Sequence, residues 1–206
     1  MLFRSEPAKP LLNAEPNYEA HRDWNTNQLF GDMEVRRASY WSLLVHPPAG
    51  VTYGAHGIWS WERTLEIPMN HLGAGGAKPW FEAVKLPGAT CMKHMKHLFS
   101  SLRWWTLVPA QEWMAEQPGS EDPRLFIAVA SSSEGRWAIA YMPGGRTVRL
   151  VSDAVRGFDG FRWFNPRTGK WTPVQRMRSE SFLAPDSLDW VLWLGATASA
   201  GRERKA

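Results

Sequence analysis

The spacing of apolar residues changes near Arg124. Beyond that point they fall in short runs: Leu125–Ala130, Arg136–Met142, Thr147–Val151, Phe161–Asn165, Lys170–Val174, Ser181–Ala184 and Asp189–Leu194. The separators SSSEG, PGG, RGFDG, NPRTG and APDS are rich in turn-forming residues. Short strands at this spacing predict a small antiparallel β-sandwich over 122–197. Within it FNPRTGKW reads as a hairpin, with Asn165-Pro166 and Thr168-Gly169 supplying the turn. The closing residues 198–206, ASAGRERKA, predict a disordered tail.

Over 1–121 strand and helix patterns alternate. Pro10–Asn13 is a short apolar strand. Met33–Val45 carries Val35, Ala38, Leu43 and Leu44 at helical spacing, between a Gly31-Asp32 start and a Pro47-Pro48 stop. Gly50–Tyr53 is again strand-like, and Leu72–Ala77 is a glycine-rich loop. Ala89–Leu102 predicts a second helix, with Met92, Met95, Leu98, Phe99 and Leu102 on one face. This order is expected of a parallel α/β sheet or barrel. Two βα units cannot bury their own strands, and a closed eight-stranded barrel takes about 250 residues. The expectation is therefore a truncated barrel followed by a sandwich, α/β plus all-β.

Composition narrows the function classes. Of 206 residues, 44% are hydrophobic and 21% charged, as in ordinary globular proteins. The net charge of +4 comes from Lys and Arg scattered along the chain, which does not suggest a nucleic-acid surface. No apolar stretch reaches the roughly 20 residues of a membrane span. A single cysteine, Cys91, excludes an internal disulfide. Thirteen tryptophans are many for this length; their faces stack on sugar rings, but they also fill cores.

The order of motifs is more specific. PLLNAEPNYE, then RRASYWSLL, then AGVTYGAHGIWSW resembles the end of an apiosidase-like glycoside hydrolase domain, a (β/α)8 barrel. GRWAIAYMPGG, FRWFNPRTGKW and DWVLWL resemble the collagen-binding-type C-terminal β-sandwich domain that follows such barrels. The resemblance implies that Pro10–Asn13 is the seventh barrel strand and Gly50–Tyr53 the eighth. Strands one to six, with the acid/base carboxylate, would lie elsewhere. Met1-Leu2-Phe3-Arg4-Ser5 matches the translation of a sequencing-adapter end and is set aside as a sequence artefact.

The resemblance implies that Glu15, just past a strand on the face where barrel enzymes gather catalytic groups, is the nucleophile of a retaining glycosidase. Glu19, four residues on, is the rival carboxylate, expected to cap or orient the loop through His21 or Arg22. Tyr53, His56, Trp59 and Trp61 are the substrate-binding candidates. Tyr53 is expected to steady Glu15, His56 to donate to a hydroxyl or to Glu15, and the tryptophans to floor a sugar subsite. His94 and His97 neighbour each other on the second helix but lack further ligands, so neither a metal nor a cofactor is expected.

The function expected is that of a glycosidase fragment, inactive alone, whose parent acts on a plant or microbial polysaccharide. The parent is expected to be secreted or periplasmic, with an oligo- or polysaccharide as partner and neither nucleic acid nor membrane. The alternative is a carbohydrate- or protein-binding module centred on the sandwich, and a third reading makes the sandwich a brace for the barrel.

Overall fold

The structure, a computed structural model, describes residues 9–69, 71–176 and 180–196. The expectations for Met1–Ser5 and for the tail from Ala198 lie outside the described residues. The chain forms two compact units, the first closing at Trp105 and the second opening at Thr106.

The first unit is built on a βαβ crossover. Strand β1 (Leu11–Asn13) pairs in parallel with β2 (Pro48–Val51), and helix α1 (Asp32–Leu44) connects them. At the start of α1 the Glu34 carboxylate accepts the Gly31 N–H at 3.0 Å, which satisfies a donor that the helix leaves open. The helix buries Val35, Ser39, Tyr40, Leu43 and Leu44 on one face. It ends before the Pro47-Pro48 pair, as expected from residues that cannot continue a helix. A short helix α2 (Trp80–Ala83) then leads into α3 (Pro87–Ser100), where Pro87 stands in the first turn. Cys91, Met95, Leu98 and Phe99 form the buried face of α3, and α1 packs against it. The second strand begins two residues earlier than its expected Gly50 start and stops at Val51, so Thr52 and Tyr53 already belong to the loop.

The second unit is antiparallel throughout. Its larger sheet joins β3 (Leu107–Pro109), β4 (Ala128–Ser132), β5 (Trp137–Met142), β11 (Trp190–Gly195), β7 (Gly160–Asn165) and β8 (Lys170–Pro173), in that order. The smaller sheet joins β6 (Thr147–Arg149), β10 (Ser181–Leu183) and β9 (Gln175–Arg176). A one-turn helix, α4 (Ser152–Val155), follows β6. Between the sheets lies an apolar core that includes Val129, Ala140, Val148, Trp163, Phe182 and Leu192. Every expected strand is present, most shifted by one to three residues at an end.

The sequence pattern put the domain boundary at 121/122, whereas the second unit opens at Thr106. Residues 107–121 join the sheet partly through side chains. The Gln111 amide exchanges two hydrogen bonds with the Val129 backbone, at 2.8 and 3.2 Å, and Gln117 does the same with Ile127, at 2.9 and 2.8 Å. Two glutamines thus stand in for a strand, which no hydrophobic period reveals.

Candidate functional site

The loops after β1 and β2 continue the parallel pairing of the strands. Thr52 N–H donates to the Asn13 carbonyl at 3.1 Å, and Thr52 Oγ1 donates to Ala14 at 2.6 Å. Glu19 N–H then reaches the Gly54 carbonyl at 3.0 Å, and His56 N–H reaches the Glu19 carbonyl at 2.7 Å. Backbone hydrogen bonds therefore fix both loops side by side.

Glu15 lies on the first of these loops, two residues past β1. Its side chain is exposed, and its N–H is held by Asn13 Oδ1 at 3.1 Å. Asn13 is itself anchored to Ser42 of α1 at 2.8 Å. The phenol of Tyr18 lies within range of Glu15. Partial burial, and then the Glu15 charge, raise the Tyr18 pKa above its ordinary value. Tyr18 was missed at the sequence level, although it lies three residues from Glu15.

Glu19 is a different kind of carboxylate. It is 2% exposed, and its two oxygens accept the Gly88 N–H at the start of α3, each at 2.9 Å. Tyr53 donates its hydroxyl to the same carboxylate at 2.7 Å. A negative charge on the open amides of a helix start is favourable. Glu19 was expected to cap or orient its loop through His21 or Arg22; its carboxylate bonds the start of α3 and Tyr53 instead. A side chain at Gly88 would run into the Glu19 carboxylate, so only glycine allows this approach. Tyr53 therefore steadies Glu19 and not Glu15. Burial first, then its bond to Glu19, push the Tyr53 phenol well above its usual range.

His56 is 1% exposed, and its Nε2–H donates to the Gly75 carbonyl at 3.0 Å. Its Nδ1 is buried without a hydrogen-bond partner among the described residues. His21 meets it edge-on at 5.1 Å between ring centres, and Trp59 lies 6.2 Å away. Trp59 in turn packs on His71 at 4.5 Å and remains 37% exposed. Desolvation lowers the His56 pKa, more than its bond to Gly75 raises it. The structure thus places His56 as the packed centre of an aromatic cluster. Trp61 is 58% exposed and stacks on Trp80.

A cavity of about 330 Å³ is lined by Val51 and Tyr53 from the β2 segment, by Leu43 of α1, by Met92, Met95 and Phe99 of α3, and by Trp104. His94 and His97 lie on α3, and among the described residues no three His, Cys, Asp or Glu side chains gather as a metal-holding group. No helix among the described residues is long and apolar enough to cross a membrane.

Residues 2–106 match the family model described as "Apiosidase-like, catalytic domain", and 108–195 match "Putative collagen-binding domain of a collagenase". The two matches meet where the compact units divide. No curated protein is significantly similar in sequence. Among solved structures, one titled "Glycoside hydrolase" has a TM-score of 0.76 at 24% identity, over 94% of this chain. A glycoside hydrolase family 5 structure from Bacteroides vulgatus has a TM-score of 0.80 at 23% identity, over 95% of this chain. The chain covers 44% and 43% of those two chains, and at such identity the likeness is one of fold. The first of these family models spans just over half of the chain and the second most of the remainder, so this chain belongs to the apiosidase-like catalytic-domain family, with a collagen-binding-type domain attached.

Proposed function

We propose that this chain is the C-terminal part of a retaining glycoside hydrolase, with Glu15 as its nucleophile. The observation that carries the reading is the exposed Glu15 carboxylate directly after β1, on a loop held from below by Glu19, Tyr53 and the start of α3. In this reading β1 and β2 are the last two strands of a (β/α)8 barrel. Glu15 attacks the anomeric carbon as the glycosidic C–O bond breaks, and a second carboxylate about 5 Å away protonates the leaving oxygen. That second carboxylate belongs to the missing strands. Trp59 and Trp61 offer ring surface to the sugar, while His56 and Tyr53 hold the loops that present them. The parent acts on a plant or microbial polysaccharide outside the cytoplasm.

The test compares this chain with a parent-length protein on aryl glycosides and oligosaccharides. The chain alone is expected to show no turnover, because a nucleophile without its acid partner completes neither step. In the parent-length protein Glu15→Ala is expected to abolish turnover, and added azide to restore it as a glycosyl azide. Turnover by this chain that Glu15→Gln abolishes overturns the fragment reading. Full activity of the parent-length Glu15→Ala protein overturns the nucleophile assignment.

A further inference from the structure

His21, His56 and His71 are neighbouring imidazoles where the loops after β1 and β2 meet the glycine-rich stretch 71–77. The His21 ring meets His56 edge-on at 5.1 Å between centres, and His71 at 6.5 Å. Each ring turns one nitrogen to a backbone carbonyl: His56 Nε2 to Gly75 at 3.0 Å, His21 Nδ1 to Arg22 at 2.8 Å, and His71 Nδ1 to Met69 at 3.4 Å. A carbonyl only accepts, so in the neutral rings these nitrogens carry the proton. A second proton on His56 must go to Nδ1, which is buried without a hydrogen-bond partner among the described residues. In a ring 1% exposed, that proton adds a buried charge and an unsatisfied donor together.

The charges around the rings do little to offset this. From the segment after β2, the half-buried Glu62 favours a charge on His56, while His21 and His71 oppose one. From the loop after β1, the Arg22 guanidinium lies against Gly75 and adds a fixed positive charge. Glu19 turns its carboxylate to Gly88 and Tyr53, and Asp23 turns its own to Asn25 and Thr26. Glu66 accepts the Thr64 hydroxyl at 3.0 Å, and Lys78 is exposed. Desolvation is the largest influence on His56 and holds its pKa below the ordinary value of 6.5.

The stretch bonded to His56 is the part of this cluster most able to move. Residues 71–77, HLGAGGA, hold three glycines, and Gly75 sits at φ 80°. At Ala77 the stretch is tied to Glu66 by two backbone hydrogen bonds, at 3.3 and 2.7 Å. His56 reaches it at Gly75, while Trp59 packs on His71 and Trp24 on Gly73. The loops after β1 and β2 are instead locked to each other through the backbones of Glu19, Gly54 and His56. We propose that protonation of the three histidines releases 71–77 from His56, an acid-operated strap that opens while the rest of the first unit stays folded. Opening brings water to His56 Nδ1 and parts His71 from Trp59. The closed form is fully favoured above the ordinary histidine value of 6.5 and loses that preference as pH falls through the lowered His56 pKa. The strap assigns no role to Glu15 and stands apart from the glycosidase reading.

The experiment follows hydrogen–deuterium exchange of the intact chain by mass spectrometry at about pH 7.5 and about pH 5, on either side of the histidine range. Rates are corrected for the intrinsic pH dependence of exchange. Protection over 71–77 is expected to fall several-fold at the lower pH, while protection over α3 holds. His56→Gln keeps an N–H for the Gly75 carbonyl but cannot titrate, so its 71–77 protection is expected to be the same at both pH values. Circular dichroism checks that this variant folds. If it does not, a variant combining His21→Asn and His71→Asn carries the comparison, and its strap is expected to open at a lower pH. Protection of 71–77 that ignores pH, or a loss shared equally by α3, overturns the strap. So does an intact pH response in folded His56→Gln, or an unmoved one in the double variant. None of these outcomes bears on Glu15, whose test is hydrolysis by the parent-length protein.

Discussion

Trp163 in the second unit and Trp61 in the first carry the same side chain under opposite conditions. Trp163 is fully buried between the sheets, and its indole N–H donates to the Leu183 carbonyl at 2.9 Å. Its strand supplies ordinary extended backbone, so packing alone accounts for it. Trp61 is exposed, strained and stacked on a second tryptophan. The units that hold them differ in the same way. The sandwich closes its own core between a six-stranded and a three-stranded sheet, whereas the first unit has one two-stranded sheet beside an open cavity. Trp163 serves the core of its unit, whereas Trp61 is left facing solvent in the other.

That contrast can be broken experimentally, and the largest effect should come from the core. Trp163→Ala removes the largest fully buried side chain and strands the Leu183 carbonyl, for a loss of about 3–5 kcal/mol. Urea denaturation followed by circular dichroism should show the sandwich transition at markedly lower denaturant. An unchanged midpoint would mean that the core does not depend on it.

Next comes the buried carboxylate of the first unit. Glu19→Ala leaves the Tyr53 hydroxyl and the Gly88 N–H without their acceptor, at about 1–3 kcal/mol for each buried group. Hydrogen exchange should rise over 14–19 and at the start of α3 while the sandwich stays protected. If protection there is untouched, Glu19 is not the fastening.

Two titrations sharpen the comparison further, because Tyr53 and His56 both lie in the first unit. The Tyr53 pKa is raised in the folded state, so its stabilising effect is complete below the ordinary value of 10.0 and fades as pH climbs above it. The His56 pKa is lowered, so its effect is complete above the ordinary value of 6.5 and fades as pH falls below it. Thermal melts across this range should show the first unit weakening at both extremes, with Tyr53→Phe flattening the alkaline limb. Persistence of that limb in Tyr53→Phe would assign it to another group.

The smallest effect is expected at Trp61. Trp61→Gly relieves the left-handed backbone and loses only exposed contacts, so stability should change by less than about 1 kcal/mol in either direction. A loss as large as that of Trp163→Ala would place Trp61 among the structural tryptophans.

Much of the fold was legible because its signals are local. The Gly31-Asp32 start and Pro47-Pro48 stop frame α1, and the turn-rich separators locate the strands of the sandwich. The sheet assignment of 107–121 was not legible, since Gln111 and Gln117 replace backbone partners with side chains that follow no period. At the site, Glu15 and its position after a strand were visible in the sequence. The role of Glu19 was visible only in outline. Its partner Gly88 is 69 residues away, and nothing in GAT or NYE announces that the two meet. Trp80 and Tyr18 were passed over because an isolated aromatic in a loop has no pattern to mark it.

The sequence by itself therefore determined the alternation of strand and helix, the antiparallel second unit, the family and the carboxylate after β1. These depend on neighbouring residues, whose backbone preferences and spacing are written along the chain. Tertiary structure decided which carboxylate is buried and which is free, which hydroxyl serves which, and that Trp61 rests on Trp80. Those outcomes depend on desolvation and on contacts between distant segments, which arise only when the loops after β1 and β2 are brought side by side.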